Sequence, residues 1–195
     1  MGTAARRFNQ LSVAEYLEGE LVAEVRHEYV GGQAHAMAGT TINHGRVAGN
    51  VFAALHASLA GKPCQPYNSD IKVRVVVSPG DTRFYYPDVS VVCESNPPDD
   101  VYQDRPVMVV EVLSPSTRRL DDGEKRDAYL TIPALGAYLL AEQDAPAVKL
   151  YRRVGDAFKA ETYEGGDAVI ELPEIGTRLA MADVYRGVSP PVEGV

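Results

Sequence analysis

Apolar residues fall along this chain mostly in short runs broken by glycine and proline, and one longer stretch repeats every four positions. That stretch, Asn43 to Ala60, sets Val47, Val51, Leu55 and Leu59 on one stripe with Phe52 alongside, which predicts an amphipathic helix. Gly61 and Pro63 stop it. His44 lies in the same stripe, one turn before Val47 and Ala48; lone histidines on such faces are more often packed or surface residues than ligands. Ahead of this helix, Ser12 is a fitting N-cap for a short helix over Val13 to Leu17. Arg26 to Met37 reads as two short strands around Gly31-Gly32, a turn that needs positive φ. Glu28 then sits near the turn, available to a site or exposed.

Pro66 to Val77 contains a further strand, in which Lys72-Val73-Arg74-Val75 alternates charged and apolar positions. Phe84 to Cys93 and Pro106 to Leu113 are richer in β-branched and aromatic residues and are bounded by turn formers, so each predicts a strand. Asn96-Pro97-Pro98-Asp99-Asp100 between them makes a hairpin the economical reading. A second helix is expected from about Arg119 to Thr131, closed by Pro133. Strands follow over Ala137 to Ala141 and Val148 to Arg152, then shorter alternating ones from Ala157 to Leu172, with turns at Gly155-Asp156 and Gly165-Gly166-Asp167. The order predicts one domain of mixed α/β class over residues 1–195, with its core over about 11–185 and a disordered tail over 186–195.

The two central strands each carry a carboxylate. If the hairpin is symmetric about residues 99 and 100, Asp88 lies opposite Glu111. Opposed side chains in an antiparallel pair have Cβ atoms about 5 Å apart, and like charges there are destabilising. Two carboxylates face to face on apolar strands need a neutralising partner. A divalent cation is the obvious candidate, because Mg²⁺ is commonly held by one or two carboxylates plus water and substrate phosphates. On the following helix, Ala128, Tyr129 and Ile132 mark the buried side, and Lys125 lies one turn earlier on that side. Its amine can reach back to the carboxylate strand, or pair with Asp121 at i,i+4 in solvent; position alone leaves both readings open.

Composition narrows the function classes. The chain has 195 residues, 45% hydrophobic and 24% charged, the balance of an ordinary water-soluble globular protein. Cys64 and Cys93 offer no metal-ligand spacing and no disulfide framework, which suits a reducing cytoplasm. Residues 1–6 lack the apolar run of a signal peptide, and no stretch approaches the ~20 apolar residues of a membrane span. The formal net charge of -8 counts against an extensive nucleic-acid surface, though not against a local basic groove.

Tyr86-Pro87-Asp88, with Glu111 near the end of a hydrophobic strand, resembles the PD-(D/E)XK restriction-endonuclease-like nucleases. More narrowly, Arg26-His27-Glu28-Tyr29, Tyr86-Pro87-Asp88-Val89, Val109 to Thr117 (Val-Val-Glu-Val-Leu-Ser-Pro-Ser-Thr), Lys125 and Tyr129 resemble the Uma-two family of that superfamily. The resemblance runs from about Leu11 to Tyr185. It implies a core of helix, three strands, helix and strand, with an N-terminal hairpin and a C-terminal β extension. It also implies Mg²⁺ (or Mn²⁺) on Asp88 and Glu111. The superfamily's lysine stands two residues after the Glu, where this chain has Leu113; the resemblance implies that Lys125 has taken its place. Glu28 is the remaining candidate for the catalytic set.

These residues imply metal-assisted hydrolysis of phosphodiesters, with DNA the expected partner and a symmetric homodimer the expected assembly. Two other readings stand beside it. One is a nuclease-fold binding or regulatory protein without turnover, favoured by Leu113 and the acidic charge. The other is a hydrolase for a small phosphorylated molecule. Lys72, Arg74, Arg83, Arg118, Arg119 and Arg126 discriminate: clustered around Asp88 they favour nucleic acid, scattered they do not.

Overall fold

The run from Phe84 to Cys93 reads as one strand in the sequence but is two strands in two sheets. The computed structural model describes residues 10–189. In it β5 (Asp81–Tyr85) ends before Tyr86-Pro87-Asp88, and β6 (Val89–Val92) begins after it. Pro87 has no N–H to give a ladder, so the chain changes sheet there. The stretch Pro66 to Val77 divides the same way, into β3 (Gln65–Asn68) and β4 (Lys72–Ser78). A five-stranded sheet has the order β2-β1-β5-β4-β7, with β1 (His27–Val30), β2 (Gln33–Ala36) and β7 (Tyr102–Gln103). A six-stranded sheet has the order β11-β10-β9-β8-β6-β3, with β8 (Pro106–Leu113), β9 (Ala137–Glu142), β10 (Ala147–Val154) and β11 (Ala157–Glu164). β12 (Val169–Leu172) and β13 (Thr177–Ala180) pair separately. The β8–β9 and β4–β7 pairs are parallel and the rest antiparallel, so the sheets are mixed and the class is α/β.

The register of β6 on β8 sets Val89 opposite Val110, Ser90 opposite Val109 and Val91 opposite Met108. Continued by one position, it brings Asp88 opposite Glu111, the pairing expected from hairpin symmetry. The connection is not a simple hairpin loop, however. The register slips at Val92, and β7 leaves the loop to pair with β4.

Alternation along β8 then divides two cores. Met108, Val110 and Val112 face α2 (Ile42–Ser58), whose Val47, Val51 and Leu55 are fully buried with Leu59. β12, β13 and α4 (Met181–Val184) close this core through Ile170, Leu172, Leu179 and Met181. Gly61, at φ +75°, turns the chain out of α2 as the stop signal predicts. Val109 and Leu113 face the other way, with Tyr138 and Leu140, onto Val73, Val75 and Tyr85 of the five-stranded sheet and onto Ala128 and Tyr129. Glu111 shares this second face.

α1 (Val13–Glu20) carries the capping box Ser12–Glu15 and stacks Tyr16 on Tyr29, ring centroids 4.9 Å apart, with Phe84 beside them. Gly31 and Gly32, at φ +58° and +82°, make the β1–β2 turn as expected. Two expectations need correction. Cys64 and Cys93 are bonded to each other, because the β3–β6 register that opposes Gln65 to Val92 brings the next positions together. The two cysteines therefore give no argument for a reducing compartment. The tail was expected to be disordered from residue 186. Residues 190–195 lie outside the described ones, but Gly187 and Ser189 accept hydrogen bonds from Arg46 and Asn43 of α2. Among the described residues no helix is long and apolar enough to cross a membrane.

Candidate active site

Glu111 points from β8 into the gap between the sheets, and Asp88 reaches the same place from the crossover after Pro87. The Asp88 N–H donates to Glu111 Oε2 at 3.4 Å, and the Val112 N–H donates to Asp88 Oδ2 at 2.7 Å. His44 Nε2 lies 3.0 Å from Asp88 Oδ1. Each carboxylate thus meets donors, so their opposition is tolerated. Glu28 joins from β1: its Oε1 accepts from the Tyr86 N–H at 3.3 Å and lies 2.7 Å from Lys125 Nζ. The same Nζ is 3.5 Å from Glu111 Oε1 and 3.5 Å from Asp121 Oδ1, and 5.6 Å above the centre of the Tyr85 ring. The Tyr129 hydroxyl donates to Glu111 Oε1 at 3.4 Å. All four residues expected at the site, Asp88, Glu111, Lys125 and Glu28, are brought together.

The helix that presents Lys125 departs from the expected continuous one. A π-helical turn, Leu120–Lys125, kinks at Asp122 (φ -89°, ψ 23°) and passes into α3 (Arg126–Tyr129). Asp122 is held there by Tyr151 Oη at 2.6 Å, Lys149 Nζ at 2.9 Å and Arg126 Nη1 at 3.3 Å. Single π-turns inside helices often sit at functional sites. Here Asp121, Lys125 and Tyr129, spaced by four, point into the cluster. The Asp121–Lys125 pair does form, but it is buried, at 2% and 7% exposure, rather than in solvent.

Three carboxylates, Glu28, Glu111 and Asp121, therefore surround one ammonium group, with Asp88 beside Glu111. Glu111, 4% exposed, has its carboxyl pushed well above the usual range by burial; Lys125 pulls it back, while Asp121, Asp88 and Glu28 push it further. Asp121 is also raised, chiefly by burial. For Lys125 burial favours the neutral amine, but the field of Glu111, Glu28 and Asp121 outweighs it and keeps the charge on. The most open side chains are Asp88 and His44, at 17% and 13% exposure, so the approach to the cluster is on their side.

The six candidate cations do not gather around Asp88. By strand alternation Lys72 and Arg74 lie on the outer face of the five-stranded sheet, where Lys72 donates to Tyr86 Oη and Arg74 pairs with Asp104. Arg83 pairs with Asp81 and Glu124, Arg118 with Glu142, and Arg126 with Asp122 and Asp127. Arg119 has no such partner among the described residues. It lines, with Ser116, Arg118 and Asp122, a cavity of about 880 Å³ that none of the four site carboxylates borders.

Three residues of the cluster carry little sign of it in the sequence. His44 showed only as a polar break in an apolar stripe. Asp121 showed as half of a surface pair, and Tyr129 as a core residue with a motif resemblance. The available signal was the spacing Asp121–Lys125–Tyr129, which puts a carboxylate, an amine and a phenol on one helix face.

The profile of the Uma2 family, described as "Putative restriction endonuclease", matches residues 13–182. The uncharacterized protein slr1290 of Synechocystis sp. (strain ATCC 27184 / PCC 6803 / Kazusa) is 35% identical over 184 residues, covering 93% of this chain and 95% of that protein. A second uncharacterized protein of the same strain, sll1609, is 33% identical over 149 residues, covering 75% and 82%. Among solved structures, the fold is similar to that of a protein from Anabaena variabilis ATCC 29413 described as "a putative nuclease belonging to DUF820". The TM-score is 0.67 at 16% identity, with 84% of this chain and 91% of that one covered. The match spans both central strands, the kinked helix and α2, and the chain belongs to the Uma2 family.

Proposed function

We propose that this protein is a Mg²⁺-dependent nuclease that hydrolyses phosphodiester bonds, with DNA as its substrate. The observation that carries the reading is the convergence of Asp88 and Glu111 across the β6–β8 pair, with Lys125 against Glu111. The donor set suits Mg²⁺. Among the described residues no three Asp, Glu, His or Cys side chains form a ready cage, and Mg²⁺ does not need one: it takes one or two carboxylates and fills the rest with water and substrate oxygens. Asp88 and Glu111 would hold it, and it would polarise a phosphoryl oxygen and acidify a bound water.

The chain's own residues do the rest. Lys125 keeps a fixed positive charge where negative charge builds on the phosphoryl oxygens, in a site largely closed to water. Glu28 and Asp121 hold that ammonium in place, and Tyr129 holds Glu111 Oε1, leaving Oε2 toward Asp88. Lys125 thereby fills the role that Leu113, buried in the second core, cannot. A two-fold dimer would set two such centres on the two strands of a duplex.

A second reading, a binding or regulatory protein on a nuclease fold, is favoured by the scattered and paired cations. Calorimetric titration of Mg²⁺ and Mn²⁺ into wild type and an Asp88→Ala/Glu111→Ala double variant tests the metal-enzyme reading. Binding by wild type that is lost in the variant is the expected result; no binding by wild type even at millimolar metal would favour the second reading.

A further inference from the structure

We infer that His44 is a positioning residue for Asp88, fixing the direction in which that carboxylate presents its oxygens to the site. The inference rests on the proposed function of the cluster. Asp88 is gripped from two elements at once: Val112 of β8 donates to Oδ2, and His44 of α2 meets Oδ1. An ionised carboxylate only accepts, so the His44 proton in this contact is on Nε2. Among the described residues the other ring nitrogen, Nδ1, is buried without a hydrogen-bond partner, which makes the bond to Asp88 the ring's one hydrogen bond there. A leucine would continue the stripe of Val47, Val51 and Leu55 without burying an unpartnered polar atom. Packing therefore gives no reason for a histidine at this position, and Asp88 does.

The ring is itself held in place. His44 stands in the first turn of α2, and its N–H donates to the cap Thr41 Oγ1 at 3.2 Å. Thr41 Oγ1 donates in turn to Gln143 Oε1 at 3.0 Å, and Asn43 Nδ2 donates to Asp144 Oδ1 at 3.1 Å. Gln143 and Asp144 follow the end of β9, which runs beside β8 and pairs Leu140 with Glu111. The turn carrying His44 is thus tied to the sheet that carries Glu111, so the distance between the two carboxylates is held from both sides. Partners that orient a metal-binding carboxylate or histidine typically change metal affinity by about 10–100-fold when removed.

Two measurements on the full chain test this. The first is a side-chain ¹H–¹⁵N correlation of the metal-free protein, beside Asp88→Ala. The expected His44 ring is a single tautomer carrying its proton on Nε2, and it loses that signature in the variant; a ring indifferent to Asp88 overturns the inference. The second is Mn²⁺ titration of His44→Ala and His44→Gln, with thermal melts to confirm folding. His44→Ala should bind about 10–100-fold more weakly, and His44→Gln, whose amide can still donate, should recover most of the loss. Equal binding by wild type and His44→Ala, or no recovery by His44→Gln, overturns it. If wild type binds no metal, the proposed function fails separately, and the tautomer comparison alone decides whether His44 orients Asp88.

Discussion

The two faces of β8 are built from the same strand but by different rules. Toward α2 it presents Met108, Val110 and Val112 to a core of aliphatic side chains. Toward the five-stranded sheet it presents Val109, Glu111 and Leu113, and around Glu111 the fold buries Glu28, Asp121 and Lys125 as well. Burying apolar surface is favourable wherever it occurs, at about 25 cal/mol per Å². Burying ion pairs in place of well-packed apolar residues is often neutral or unfavourable. The first face is explained by folding alone. The second is not, and that difference is the physical reason to look for chemistry there.

Breaking each face separately should have different consequences. The largest effect is expected from Lys125→Met, which leaves Glu28, Glu111 and Asp121 buried without their cation. It should cost about 3–5 kcal/mol in chemical denaturation at neutral pH and lower any hydrolytic rate by about 10²–10³-fold, the typical effect of losing a donor at developing charge. A variant that loses this stability but whose folded fraction keeps full activity would return Lys125 to a purely structural role. Leu55→Ala on the α2 face should cost about 2–5 kcal/mol in the same denaturation while a Mg²⁺ titration of the folded variant matches that of wild type. Reducing the Cys64–Cys93 bond, which links residues 29 apart, should cost about 3.6 kcal/mol by the chain-entropy estimate. Melts with and without reductant would measure it, and equal melts would remove the bond from the account.

The smallest effect sharpens the comparison through pH. Glu111 holds its proton above the unfolded value of about 4.3. Between that value and the raised folded one, the folded chain keeps a proton that the unfolded chain has lost, so stability falls as pH rises. The slope is at most about 1.4 kcal/mol per pH unit for one proton. Glu111→Gln should flatten it, as should saturating Mg²⁺, which favours the ionised carboxylate. A slope unchanged by Glu111→Gln would place its source elsewhere.

Much of this site was legible because it depends on local pattern. The stripe of Val47, Val51 and Leu55 gave α2, and hairpin symmetry gave the Asp88–Glu111 register. Helical spacing gave the inward Lys125. What was hidden depends on which sheet a strand joins. Tyr85 and Val89 carry the same strand preference, and only the ladder partners show that the chain changes sheet at Pro87. The same dependence conceals the cysteine pair, because nothing local in Pro66 to Val77 separates a strand that joins β6 from the alternating Lys72 to Val75. His44 was undervalued because its partner is 44 residues away, beyond the reach of any periodicity. The kink at Asp122 was invisible because the groups that hold it, Tyr151 and Lys149, come from β10.

The most direct measurement is the cleavage of supercoiled plasmid DNA by the purified protein, with Mg²⁺ or with a chelator. Wild type and the Asp88→Ala/Glu111→Ala variant would be compared at equal folded concentration. The account predicts nicking that needs Mg²⁺ and disappears in the double variant. Nicking that survives in the variant would contradict it, and so would a wild type that binds Mg²⁺ yet leaves the phosphodiester backbone intact.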